Sequence, residues 1–198
     1  MAANPKFIAF EGEACIAAGD LAGVALAAKK AAARPSRDAI LIFDAATSAQ
    51  VELDLRGSRD DVLGRLPAQP TTAREPDEPR GPGRPKLGVV AREVTLLPRH
   101  WDWLASQPGG ASVALRKLVE HGSRANAGRD RIRASQNAAY RFMSVMAGDR
   151  VGFEDAARAL FAGDAATFNR LAAAWPADIH NHLATLAADA LQSKDNAA

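Results

Sequence analysis

One cysteine, one tyrosine and four histidines are spread over 198 residues, and that scarcity excludes several chemistries. A lone Cys15 cannot close an internal disulfide and has no metal-ligand partner near it; in its alternating run it reads as a small buried side chain. His180 and His182 stand two apart, which on a helix turns them about 200° from each other, a poor geometry for sharing a metal. No Ser-His-Asp, Cys-His or zinc-finger spacing occurs anywhere. Residues 7–65 contain no histidine and no glycine-rich phosphate loop, so Asp44, Glu52 and Asp54 read as solvated carboxylates around a hairpin. The expectation is therefore a protein that is not an enzyme, with no catalytic residue, no metal, no cofactor and no evident small-molecule substrate. No run of about 18 apolar residues is present, so no membrane partner is expected. The opening MAANPKFIAFEGEAC is neither basic nor long enough in its apolar run for a secretory signal, which leads to a cytoplasmic expectation.

Charge is balanced in total and uneven in place. The formal net charge is +2, but residues 80–133 carry eleven Lys/Arg against four Asp/Glu, a net of +7, leaving −5 for the rest. A basic centre between acidic flanks favours a polyanion as partner.

The hydrophobic patterning predicts an α+β chain. Residues 1–66 read as a small α+β domain in the order ββαββα: short strands at Phe7–Phe10 and Ala14–Ala18, a helix over Leu21–Ala33 capped by Asp20, a buried strand at Ala39–Phe43, an alternating strand at Gln50–Leu55, and a short helix after the cap Ser58. Residues 128–191 read as a helical domain. There Ile132, Ala139, Phe142, Met143 and Met146 share one face. A small repeat, Gly148-Asp149-x-x-x-Phe153 and Gly163-Asp164-x-x-x-Phe168, offers Asp149 and Asp164 as N-caps, and Pro176 opens a last helix. Residues 192–198 read as a disordered tail.

Between these parts, residues 67–88 form a linker holding six of the eleven prolines, a composition that stays extended. Its end, Arg80-Gly-Pro-Gly-Arg-Pro-Lys86, resembles an AT-hook. That resemblance implies that Arg80, Arg84 and Lys86 meet DNA, with the arginine of the flat Gly-Arg-Pro core in a narrow minor groove.

Residues 89–127 are the segment around which the rest is arranged. Arg92–Leu97 is a short strand pattern stopped by Pro98. Trp101 and Leu104 follow at helical spacing. A Gly110-Ala111-Ser112 turn then opens a second helix, Ser112–Gly122, with Val113, Leu115, Leu118 and Val119 on its apolar side. One strand and two short helices are too little chain to bury a core, and a second copy is the simplest cover. These residues resemble the ribbon-helix-helix family of bacterial DNA-binding proteins. The resemblance implies a homodimer whose paired strands enter the major groove of double-stranded DNA, with Ser112 and neighbouring amides at a phosphate. Counted back from Pro98, the groove-facing residues would be Leu96, Val94 and Arg92. Only Arg92 is polar, which implies weak sequence specificity; Thr95, Arg116 and Lys117 complete the expected DNA-binding set. Through VVAREVTLLPRHWDWLASQPGGASVALRKLVE and AAYRFMSVMAGD, nearly the whole chain also resembles a bacterial family known only as domain of unknown function 2239, which implies no activity.

The sequence thus predicts a dimeric DNA-binding protein, architectural or transcription-regulatory, and nucleoid-associated if it binds DNA. The alternative is a protein–protein interaction adaptor acting through the helical C-terminal half.

Overall fold

A computed structural model describes residues 5–36, 38–67, 90 and 92–192. The expectations for the proline-rich linker, for Arg80, Arg84 and Lys86, and for the tail beyond 192 lie outside the described residues. Two units divide the chain: residues 1–66 with 128–198, and residues 67–127.

The first unit is built on a three-stranded antiparallel sheet ordered β2-β1-β3. Its strands are β1 (Phe7–Glu11), β2 (Ala14–Gly19) and β3 (Ile40–Asp44). Glu11-Gly12-Glu13 makes the first turn, with Gly12 at φ +58°. Alternation along the central strand sends successive side chains to opposite faces. Ala9 and Ile42 pack with Val24 and Ala28 of α1 (Leu21–Ala32), whose N-cap Asp20 accepts the Gly23 amide as expected. Ile8, Phe10 and Phe43 look the other way, into a core shared with the C-terminal helices. β1 is thus covered on both faces, which explains its uninterrupted apolar sequence.

One predicted strand is not formed. Gln50–Leu55 makes a single bridge to β3, Phe43 to Gln50, and the Val51 amide donates to the Ile42 carbonyl; beyond that the ladder stops. Side chains take over the backbone carbonyls that a strand would have paired. Lys29 Nζ donates to the Leu55 carbonyl at 3.0 Å and Arg65 to that of Asp54 at 3.1 Å. Val51, Leu53 and Leu55 still lean on the α1 side of the sheet, so the alternation marked burial and not pairing. α2 (Arg59–Arg65) follows, opened by a capping box in which Ser58 and Asp61 satisfy each other's backbone amides.

The helical part comprises the second half of α4 (Gly110–Met146), α5 (Phe153–Ala162), α6 (Ala165–Ala172) and α7 (Ala177–Leu191). Phe142 is the centre of their core, 5.4 Å from the ring centroids of both Phe10 and Phe43. Ser135 stitches α4 to α7: its hydroxyl donates to the Leu186 carbonyl at 2.6 Å and accepts the Ala190 amide at 3.1 Å. The two copies of the Gly-Asp repeat part company here. Asp164 caps α6 through the Thr167 amide, whereas α5 starts at Gly152 in the left-handed region, leaving Asp149 almost fully exposed and uninvolved as a cap.

The second unit contains α3 (Pro98–Ala105) and the first part of α4. The sequence suggested a helix ending at Gly122 and a separate helical domain from residue 128. α4 instead runs unbroken through Gly122 and Gly128 for 37 residues. Two glycines lower helix propensity by about 1 kcal/mol each but do not forbid it, and no proline interrupts the run.

Candidate nucleic-acid interface

The second unit arises from a short chain of local causes. Pro98 supplies the first residue of α3, where its missing amide costs nothing. α3 ends at Ser106, and Gly109 and Gly110, at φ +86° and +74°, carry the backbone through positive φ into α4. A Cβ on Gly109 would also lie 3.2 Å from the Val113 side chain, so the turn needs glycine for space as well as angle.

The two helices leave an apolar concavity of about 290 Å³, lined by Leu96, His100, Trp103, Leu104, Leu115 and Leu118. Among the described residues of this unit only Leu104 and Ala114 are buried. Trp103 is 51% exposed, Val119 68% and Val94 54%, and Leu97, Trp101 and Leu118 are also exposed. Arg92–Leu97 forms no strand ladder among the described residues. Leu96, which the resemblance would turn toward a groove, instead lines the concavity.

The predicted DNA contacts that fall within the described residues are all exposed residues of this unit. Arg92 and Thr95 are exposed on the extended run. Ser112 is the third residue of α4, one position after Ala111, since the helix begins at Gly110. Arg116 and Lys117 are exposed one turn further on, about 100° apart around the axis. Among the described residues Arg92, Arg99, Arg116 and Lys117 make no ion pair, whereas Arg124 is held by Glu120 one turn before it.

His100 and Trp103 were missed as lining residues. Their spacing to Leu104 was readable, but the exposed Trp101 offers the same helical match and a histidine does not announce an apolar face.

Elsewhere, charged groups serve the fold. Burial would raise the Asp44 carboxyl, but the Thr47 hydroxyl and the Thr47 and Ala46 amides outweigh it and hold it below the usual range. Arg56 holds Asp54 low, Ser58 holds Asp61 low, and the Thr167 amide does so for Asp164. Burial pushes the Cys15 thiol up and the nearby Asp178 pushes it further. No group of three or more His, Cys, Asp or Glu among the described residues could hold a metal. No described helix is long and apolar enough to cross a membrane.

A family model described as "Uncharacterized protein conserved in bacteria (DUF2239)" matches residues 6–187. Neither a curated protein nor a solved structure matches the chain. The family match takes in the sheet, the module and nearly all of the C-terminal helices, and the chain belongs to this bacterial family.

Proposed function

We propose that the chain is a dimeric DNA-binding protein, architectural or regulatory, with weak sequence specificity. One observation carries the proposal. Among its described residues, the same short unit exposes a set of large apolar side chains, an extended backbone run without a ladder partner, and basic side chains without acidic partners. Apolar groups and open backbone favour a second copy paired through Arg92–Leu97, as in the ribbon-helix-helix proteins it resembles. Arg92, Thr95, Ser112, Arg116 and Lys117 then supply the polar contacts. Phosphate neutralisation provides most of the affinity and the apolar Val94 little base readout. The AT-hook-like Arg80, Arg84 and Lys86 extend the same reading to the minor groove. The action is binding, with no catalytic role assigned and the cytoplasm as its place.

Mobility shifts on A·T-rich and mixed duplexes at several salt concentrations test this. Affinity falls with salt at a log–log slope of about −0.9 per phosphate neutralised, and Arg116→Ala with Lys117→Ala reduces that slope by about 2. No shift at low salt and micromolar protein rejects the reading.

A second reading, an adaptor acting through the C-terminal half, is favoured by a different surface. Ile132, Gln136 and Phe161 line a cleft of about 490 Å³, and the half-exposed Phe161 ring lies 5.5 Å from that of Tyr140, tilted by 57°. Absence of DNA binding together with a partner lost on Phe161→Ser supports it.

A further inference from the structure

Of the four histidines, His182 is the one packed among fully buried aromatic rings. It lies on α7, one turn after Asp178. Its ring stands edge-on to Phe142 at 4.7 Å and 80°, and 6.1 Å from Phe10. β1, the second half of α4 and α7 therefore meet at this side chain, at the joint between the sheet and the C-terminal helices. Its Nε2 is buried and has no hydrogen-bond partner among the described residues.

A neutral imidazole tolerates such a site, because one of its ring nitrogens needs no donor role. An imidazolium carries two N–H donors and a charge, and both must be solvated or paired. Among the described residues, the carboxylates of α7 and β1 each already hold another partner. On α7, Asp178 accepts the Cys15 amide of β2 at 2.8 Å, and Asp189, two turns beyond His182, pairs with Arg131. On β1, Glu11 pairs with Arg34. On α4, Arg141 donates to the Thr47 carbonyl and is itself a cation.

We propose that His182 is an acid-operated latch: neutral, it seals the sheet onto α4 and α7, and protonated, it forces Phe10 and Phe142 apart and opens that joint.

The sign follows from burial, which alone pushes the imidazole below its ordinary 6.5. Below pH 6.5 the unfolded chain binds the proton and the folded chain resists it. Stability is therefore complete above about 6.5 and is lost as pH falls through the folded value. Each pH unit in that window lowers the folded-to-unfolded ratio about tenfold.

The test uses the full chain. A proton NMR titration places the His182 midpoint below its ordinary 6.5; a midpoint at or above 6.5 overturns the proposal. Urea unfolding at pH 7.5 and 5.5 shows a lower midpoint at the acid pH for the parent, and His182→Leu removes that difference while His180→Asn keeps it. Equal acid sensitivity in His182→Leu and the parent also overturns it. If His182→Leu does not fold, the titration decides alone.

Discussion

Phe142 and Trp103 are both large aromatic residues on helices, and the protein treats them in opposite ways. Phe142 has no exposed surface and touches Phe10, Phe43 and His182. Trp103 keeps half its surface in water on the rim of an apolar concavity. The difference belongs to their units. Residues 1–66 and 128–198 supply a sheet covered on both faces, one by α1 and one by four helical segments. The described residues of 67–127 supply two helical pieces and an extended run, and among them only Leu104 and Ala114 are buried. Apolar residues at helical spacing thus mark a surface to be buried without saying that the chain itself will bury it.

The sharpest way to break this comparison is Phe142→Ala. Removing a fully enclosed ring should cost about 3–5 kcal/mol in denaturant unfolding. A loss below about 1 kcal/mol would mean that the shared core is not tight. Next in size is Gly163→Ala. Gly163 ends α5 at φ +72°, where a Cβ costs about 1–2 kcal/mol; an unchanged unfolding midpoint would contradict the left-handed cap. Gly122→Ala should act in the opposite direction. It is a helical glycine of α4 with nothing within 4 Å of an added Cβ, so the helix gains up to about 1 kcal/mol, read as a higher thermal midpoint or greater helicity. The smallest effect on stability is expected from Trp103→Ser with Leu118→Ser, within about 0.5 kcal/mol for the folded single chain, as for exposed sites generally. The same pair should abolish the dimer in light scattering and weaken DNA binding with it. A dimer that survives both changes would place its interface elsewhere.

Much of the local structure could be read from the sequence. The strands at β1, β2 and β3, the caps at Asp20, Ser58 and Asp164, and the start of α7 after Pro176 stand where turn chemistry and alternation put them. The misses share a cause. Gln50–Leu55 had a strand's alternation, but Lys29 and Arg65 hold carbonyls that a neighbouring strand would need. Asp149 had the sequence of a cap, but Gly152 turned the chain into α5 three residues later. Gly122 looked like an end because a glycine often is one, yet at a helical backbone angle it is only a weak link. Of the candidate interface, Trp101, Leu104, Leu115 and Leu118 were legible as apolar positions. His100, Trp103 and Leu96 as its lining were not, because that depends on how α3 turns against α4.

By itself the sequence determined what acts over a few residues: where strands alternate, where helices are capped, and where positive charge gathers. Only the tertiary structure decided which distant pieces share a core. Cys15 and Asp178 meet across 163 positions, and Phe10 finds Phe142 through the same closure. No local propensity encodes such pairings. They follow from which apolar faces fit when the whole chain competes to leave water, and that competition joined the two ends of the chain around Phe142.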